Sequence, residues 1–226
     1  MKITYFGHAC FGIEVSGIHL LFDPFISGNP LASQIEKNTI PADYILLSHG
    51  HGDHIGDAVD IALRTGAKII SSYEITDWMK RQGVSKHHPM NIGGKWAFDF
   101  GTVKMVAAVH SSSLPDGSYG GCAAGFLIET AEGSFYYSGD TALTQDMKLI
   151  SELWRPDFAF LCLGDNFTMG VEDARIAAEW VGCQRIIGMH FDTFGYIVIN
   201  HSEATKAFEQ QGKSLKLPAI GEIFEM

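Results

Sequence analysis

Residues 42–54 read Ala42-Asp43-Tyr44-Ile45-Leu46-Leu47-Ser48-His49-Gly50-His51-Gly52-Asp53-His54. The apolar run at 44–47 suits a short strand buried on both faces, as in the sheet of an α/β protein. The six residues from His49 to His54 then hold three imidazoles and a carboxylate. After them, Asp57–Thr65 has helical spacing and stops at Gly66. A strand that opens into a helix brings neighbouring side chains to one point. His49 and His51, two residues apart, can point the same way and clamp one divalent ion. Asp53 and His54, turned toward the helix, can face a second. Neutral imidazole and carboxylate suit zinc, manganese or iron better than calcium. Gly50 and Gly52 leave the backbone free to turn between these ligands.

Working outward, residues 2–6, 11–15 and 18–22 are short apolar runs separated by Gly-containing turns, and read as strands. Lys68–Ser71 reads as a further strand and 73–82 as a helix. The second half repeats the first. Residues 125–140 mirror 11–23: an apolar strand, a Gly turn, a second strand, then Asp. Residues 156–161 mirror 42–47, and helical patterns follow at 172–182 and 202–211 with a strand at 185–189 between them. Two similar β-rich halves, each covered by helices, predict a four-layer αββα sandwich, a single α/β domain over 1–226. Equivalent strand ends would then surround one shared cleft.

Composition narrows the function classes. With 46% hydrophobic and 12% aromatic residues, 226 residues can bury a substantial core. No window reaches the ~18 apolar residues of a membrane span. The start, MKITYFGHACFGIEV, lacks the apolar stretch of a signal peptide. A soluble, cytoplasmic protein is expected. Cys10, Cys122, Cys162 and Cys183 are scattered with no C-x-x-C pair, which fits core thiols in a reducing compartment. The formal charge of −10 weighs against nucleic-acid binding, which needs a basic stripe.

The run His49-x-His51-x-Asp53-His54 resembles the hallmark of the metallo-β-lactamase superfamily, in which lone His, Asp and His ligands follow. This chain offers one at three later strand ends: His110 after Val103–Val109, Asp140 after Phe135–Gly139, and His190 after Arg185–Met189. The resemblance implies that His49, His51 and His110 hold one metal and Asp53, His54 and His190 the other, with Asp140 bridging. Asp23, after Leu20-Leu21-Phe22, matches an earlier supporting Asp. Three further segments are similar to the subgroup that contains the L-ascorbate-6-phosphate lactonase: Gly7-His8-Ala9, Asp23-Pro24-Phe25 with Gly28-Asn29-Pro30, and the stretch Gly164 to Gly170. That subgroup implies a homo-oligomer.

The function implied is metal-dependent hydrolysis of a small-molecule ester, lactone or phosphodiester by a metal-activated hydroxide, with one or two divalent ions, zinc or manganese before iron. In that reading Asp53 orients the nucleophile or takes its proton, and Asp23 holds a ligand imidazole by a hydrogen bond. His8, ending the first strand, is the candidate proton donor or substrate contact; the alternative is a structural histidine. Asp165 occupies the place in the second half that His51 holds in the first, so it too is a cleft candidate. Two rival functions share the motif: a mononuclear iron thiol dioxygenase, and a metal-binding module without turnover. Di-iron oxygen reductases of the superfamily often carry Glu at the position of His51, which counts against that chemistry. His87 and His88 are expected to face solvent. His201 is expected at a helix start capped by Ser202 or Asn200. His19 carries no functional signal. Gly117–Gly121, close after Ser111-Ser112-Ser113, reads either as a mobile lid or as a plain surface loop.

Overall fold

Apolar and polar residues alternate along Lys2–Gly7 (β1), and burial alternates with them: Ile3 and Tyr5 face inward while Lys2 is exposed. A computed structural model describes all residues, 1–226. In it β1 is followed by Cys10–Val15 (β2), Ile18–Phe22 (β3), Tyr44–Leu46 (β4), the short helix Gly52–Ile55 (α1), Ala58–Thr65 (α2), Lys68–Ser72 (β5), Tyr73–Arg81 (α3) and His87–Met90 (β6). The second half runs Lys95–Phe98 (β7), Gly101–Ala107 (β8), Ala124–Thr130 (β9), Gly133–Tyr137 (β10), Met147–Leu153 (α4), Phe158–Cys162 (β11), Val171–Val181 (α5), Arg185–Met189 (β12), His201–Glu209 (α6), Ser214–Lys216 (β13) and Ile223–Glu225 (β14).

The strands form two seven-stranded sheets, ordered β14-β1-β2-β3-β4-β5-β6 and β13-β12-β11-β10-β9-β8-β7. In the first, β1, β2 and β3 pair antiparallel and β4, β5 and β6 continue parallel from β3. In the second, β8, β9 and β10 pair antiparallel and β11, β12 and β13 continue parallel from β10. The expected internal repeat is therefore present: β2 and β3 correspond to β9 and β10, and β4 to β11. Helix α3 packs on β5 and β6, while α5 and α6 pack on β11 and β13. The result is the α/β sandwich expected from the sequence.

Between the sheets lies an aromatic layer, with Phe11 against Phe160 and Phe22 against Tyr137 at centroid separations of 4.6 and 4.8 Å. Burying each such ring stabilises the fold by roughly 1.5–3 kcal/mol. On the other face of the first sheet a second apolar cluster joins Leu21, Ile45 and Leu47 to Ile61 of α2 and Met79 of α3. Helix ends follow their sequence signals. Gly66 closes α2 in a left-handed conformation (φ 72°), and Asn200, not Ser202, caps α6 by accepting from the Glu203 N–H at 3.2 Å.

Some elements were not legible. His87 and His88 do not simply face solvent. They form the edge strand β6 and are half-buried, and His88 packs against Trp96 and Phe98 with centroids 5.0 Å away. Their polar composition hides a strand whose place is set by parallel pairing with β5. No helix is long and apolar enough to cross a membrane.

Candidate metal centre

Six strands end at one place, and the backbone bends sharply there. His8 follows β1, Asp23 follows β3 and His190 follows β12, each in the left-handed region at φ 57°, 41° and 55°. Non-glycine residues adopt this conformation at a cost of roughly 1 kcal/mol each, so the surrounding structure must hold it. Part of that hold crosses between the sheets. The His190 N–H donates to the His8 carbonyl at 2.9 Å, and the Ala124 N–H to the Ser48 carbonyl at 3.0 Å. Asp140 follows Gly139 (φ 58°), where a Cβ would lie 2.6 Å from the Ala124 carbonyl.

Six of the seven residues read from the sequence as ligands fall into two adjoining groups, and His8, which the sequence does not mark as a ligand, joins the second. The ligand atoms of His49, His51 and His110 all lie within 4.8 Å of one another, and so do those of His8, Asp53, His54 and His190. Asp140 sits between the groups. Its Oδ2 is 2.9 Å from His190 Nε2, 3.2 Å from His54 Nε2 and 3.7 Å from His110 Nε2.

Asp23 lies beneath, wholly buried. It accepts from the Ser48 N–H at 2.7 Å, the Ser48 hydroxyl at 2.6 Å, the Tyr137 hydroxyl at 2.8 Å and His54 Nδ1 at 2.9 Å. A carboxylate only accepts, so Nδ1 of His54 carries the proton and Nε2 is turned to the centre. That Nε2 is buried 3.2 Å from Asp140 Oδ2 and makes no hydrogen bond; Asp140 Oδ1 is likewise orphaned. Such atoms cost about 1–3 kcal/mol each when left unsatisfied. A divalent cation among these donors would satisfy both, so the residues present fit a metal ion.

The electrostatics agree with that fit. Burial pushes His49 well below the ordinary imidazole value, and burial also lowers His51 and His110. All three are therefore unprotonated, the form that binds a metal. Burial lowers His54 too, but Asp140 and Asp23 outweigh it and hold His54 well above its usual value. Burial raises Asp140, and His190 and His54 outweigh it in turn and hold it well below. Without a cation, a proton stays on His54 beside Asp140; cation binding would release it.

Two expected cleft residues lie elsewhere. His8 is 1% exposed and is not part of the cavity wall. Its Nδ1 is 2.9 Å from the Thr193 hydroxyl, its Nε2 is 3.3 Å from Asp53 Oδ2, and burial lowers it to about 4. With both ring nitrogens engaged behind Asp53, it is not placed to protonate a leaving group. Asp165 faces away from the cavity into a neighbouring groove beside α5 and α6. The β11–α5 turn does not copy the β4–α1 turn: Asp165 and Asn166 are both left-handed, the Asp165 N–H donates to the Met169 carbonyl, and Asp165 Oδ1 accepts from the Asn166 N–H at 2.8 Å.

The cavity above the centre has a volume of about 630 Å³, with His51, Asp53, His110, Asp140 and His190 on its floor and Phe167, Phe194 and Tyr196 around it. Phe194 and Tyr196 carried no sequence signal, since they sit at a short 3-10 turn with no periodicity, and Phe167 lies in the Gly164–Gly170 stretch, where the sequence attached no role to the ring. Nor did Ser48 and Tyr137, whose partner Asp23 is 25 and 114 residues distant. The 111–121 loop is pinned rather than free at its base: Ser112 Oγ accepts from the Gly50 N–H at 3.1 Å and donates to the Gly120 carbonyl at 2.9 Å.

Comparison with known proteins places this architecture. A family model described as a beta-lactamase superfamily domain matches residues 19–191. A UPF0173 metal-dependent hydrolase of Flavobacterium johnsoniae is 56% identical over 226 residues, all of both chains. One of Christiangramia forsetii is 52% identical over 227 residues, again all of both. Among solved structures, Igni18, a metallo hydrolase of the archaeon Ignicoccus hospitalis, superposes with a TM-score of 0.89 at 33% identity, over 100% of this chain and 98% of that one. An isothiocyanate hydrolase from Delia radicum gut bacteria shares the fold at 19% identity, with a TM-score of 0.78 over 100% and 99% of the two chains.

Proposed function

Because the chain belongs to the metallo-β-lactamase superfamily, and within it to the UPF0173 metal-dependent hydrolases, we propose that it hydrolyses a small-molecule ester, lactone or phosphodiester at a two-metal centre. His49, His51 and His110 would hold one ion, Asp53, His54 and His190 the other, and Asp140 would bridge them. The observation that carries this reading is the pair of adjoining donor groups, with orphaned His54 Nε2 and Asp140 Oδ1 buried at their junction. Bound divalent ions there supply Lewis acidity and a nucleophile from water at neutral pH.

The chain's own residues do the rest. Asp23 fixes the His54 ring and its tautomer through Nδ1. Asp53 is half-buried; burial raises its carboxyl, and the His8 hydrogen bond and His54 outweigh that and hold it below the usual range. It is therefore a carboxylate on the cavity floor, able to orient a water or accept its proton. His8 is a positioning residue, anchoring Asp53 from behind and itself anchored by Thr193.

Elemental analysis of protein purified without a histidine tag or chelators tests the reading. About two equivalents of zinc or manganese are expected. His51→Ala should lose activity on esters and lactones while keeping its circular-dichroism spectrum. Persistent turnover by that variant, or failure of the protein to hold or take up any metal, would overturn the assignment. One equivalent of iron with oxygen uptake on thiols would replace it by the dioxygenase.

A further inference from the structure

The cavity's aromatic rim is not explained by the metal centre. Phe167 and Tyr196 are 50% and 78% exposed and meet edge to face, their ring centroids 6.1 Å apart. Neither contributes to the core. Both are nevertheless held out by ordered backbone. The turn carrying Phe167 is closed by Asp165 N–H to the Met169 carbonyl at 3.1 Å, and tied down by Met169 N–H to the Thr141 carbonyl at 2.9 Å. The turn carrying Tyr196 is closed by Asp192 N–H to the Ile197 carbonyl at 2.8 Å and by Ile199 N–H to Asp192 Oδ1 at 3.0 Å. Two exposed rings carried on hydrogen-bonded turns at a cavity mouth form an apolar contact surface whose place the backbone sets.

Charge limits what that surface accepts. No lysine or arginine lines the cavity. The groove that meets it at Tyr196 carries Asp165, Glu172, Asp173 and Glu203, again without a cationic side chain. Sites for phosphoryl groups normally supply arginine, lysine or a free helix N-terminus. Here the one-turn helix α1, whose N-cap His51 lines the cavity, has Asp53 in its first turn, and α5, which starts at the neighbouring groove, has Glu172 and Asp173 in its own. On the floor, Asp53 and Asp140 with Asp23 beneath would offset most of the charge of two divalent ions.

We propose that the substrate is an uncharged carboxylic ester or lactone bearing an aryl or bulky alkyl arm, and that the arm lies against Phe167 and Tyr196. This rests on the hydrolase reading above and narrows it. Phosphodiesters are discriminated against, and so are lactones that carry a phosphate. The reaction adds water across the acyl C–O bond. Hydroxyl goes to the acyl carbon and a proton to the departing oxygen, giving an acid and an alcohol, or a hydroxy acid from a lactone.

The test is a matched panel on the metal-loaded protein: p-nitrophenyl butyrate against bis(p-nitrophenyl) phosphate, and dihydrocoumarin against γ-butyrolactone. The ester should exceed the phosphodiester in kcat/KM by at least about a hundredfold, and dihydrocoumarin should exceed the compact lactone. Phe167→Ala and Tyr196→Ala should each lower kcat/KM for dihydrocoumarin about tenfold, with γ-butyrolactone changed much less. A preference for the phosphodiester overturns the inference and leaves the hydrolase reading standing. Turnover of no member with metal bound overturns both. Saturation-transfer NMR of 2-naphthylacetamide with metal-free protein reads the same contact without chemistry. Signal that Phe167→Ala/Tyr196→Ala abolishes supports the inference, and no transfer to the wild-type protein overturns it.

Discussion

Replacing Asp23 by Asn removes one charge and leaves volume and backbone nearly unchanged, since Asn also tolerates the left-handed φ of 41° found there. The consequence follows from counting acceptors. Oδ1 takes the Ser48 N–H, while Oδ2 takes the Ser48 hydroxyl, the Tyr137 hydroxyl and His54 Nδ1. An amide accepts at one end only, so either orientation sets its NH2 against a buried donor. Hydrogen bonds to a charged group contribute about 1.5–3 kcal/mol each. Breaking a buried, hydrogen-bonded charge costs about 3–5 kcal/mol. We expect the metal-free variant to lose about 4 kcal/mol, a large part of the 5–15 kcal/mol typical of a folded protein. Metal affinity should fall about 10–100-fold, because the His54 ring loses its anchor. Urea unfolding and competitive metal titration measure the two effects. Should Asp23→Asn prove too unstable, Tyr137→Phe removes one phenol that bridges Asp23 and the Ala9 carbonyl; it should cost only about 1–2 kcal/mol and remain folded. A loss below about 1 kcal/mol in Asp23→Asn, with metal affinity unchanged, would refute the claim that Asp23 organises His54.

Two further outcomes are expected. His8 has its folded value lowered to about 4 from 6.5, so the unfolded chain binds this proton more readily than the folded one. Its contribution to stability is intact above pH 6.5 and is lost as pH falls toward 4, by about 3 kcal/mol in metal-free protein. His8→Asn, which suits the left-handed backbone, should reduce proton uptake on unfolding by up to one proton in that window; pH-dependent urea midpoints identical to wild type would contradict this. Gly139→Ala would force a Cβ to within 2.6 Å of the Ala124 carbonyl and 2.8 Å of Ser48 Cβ at φ 58°. A loss of roughly 2–4 kcal/mol is expected, together with weakened metal uptake at the adjoining Asp140, and an unchanged melting temperature would count against it.

What the sequence determined alone was whatever depends on short range. An apolar run of strand length ending in His or Asp marks β4, β8, β10 and β12 and their side chains at the cleft, because strand termination and side-chain identity are local properties. The repeat of 11–23 in 125–140 was legible for the same reason: both halves need the same hairpin before the same parallel strand. The tertiary structure decided what depends on which surface is nearby. Asp165 stands where the repeat expects a cleft residue, yet two consecutive left-handed residues turn it outward. His8 ends a strand like a ligand, and only packing between the β1 and β12 ends buries it behind Asp53 instead of opening it to substrate. The edge strand β6 and the Phe167–Tyr196 rim also belong to this second class. Periodicity reports the face a residue presents; the cost of leaving a polar group unpaired or an aromatic ring in water is settled only when distant segments arrive.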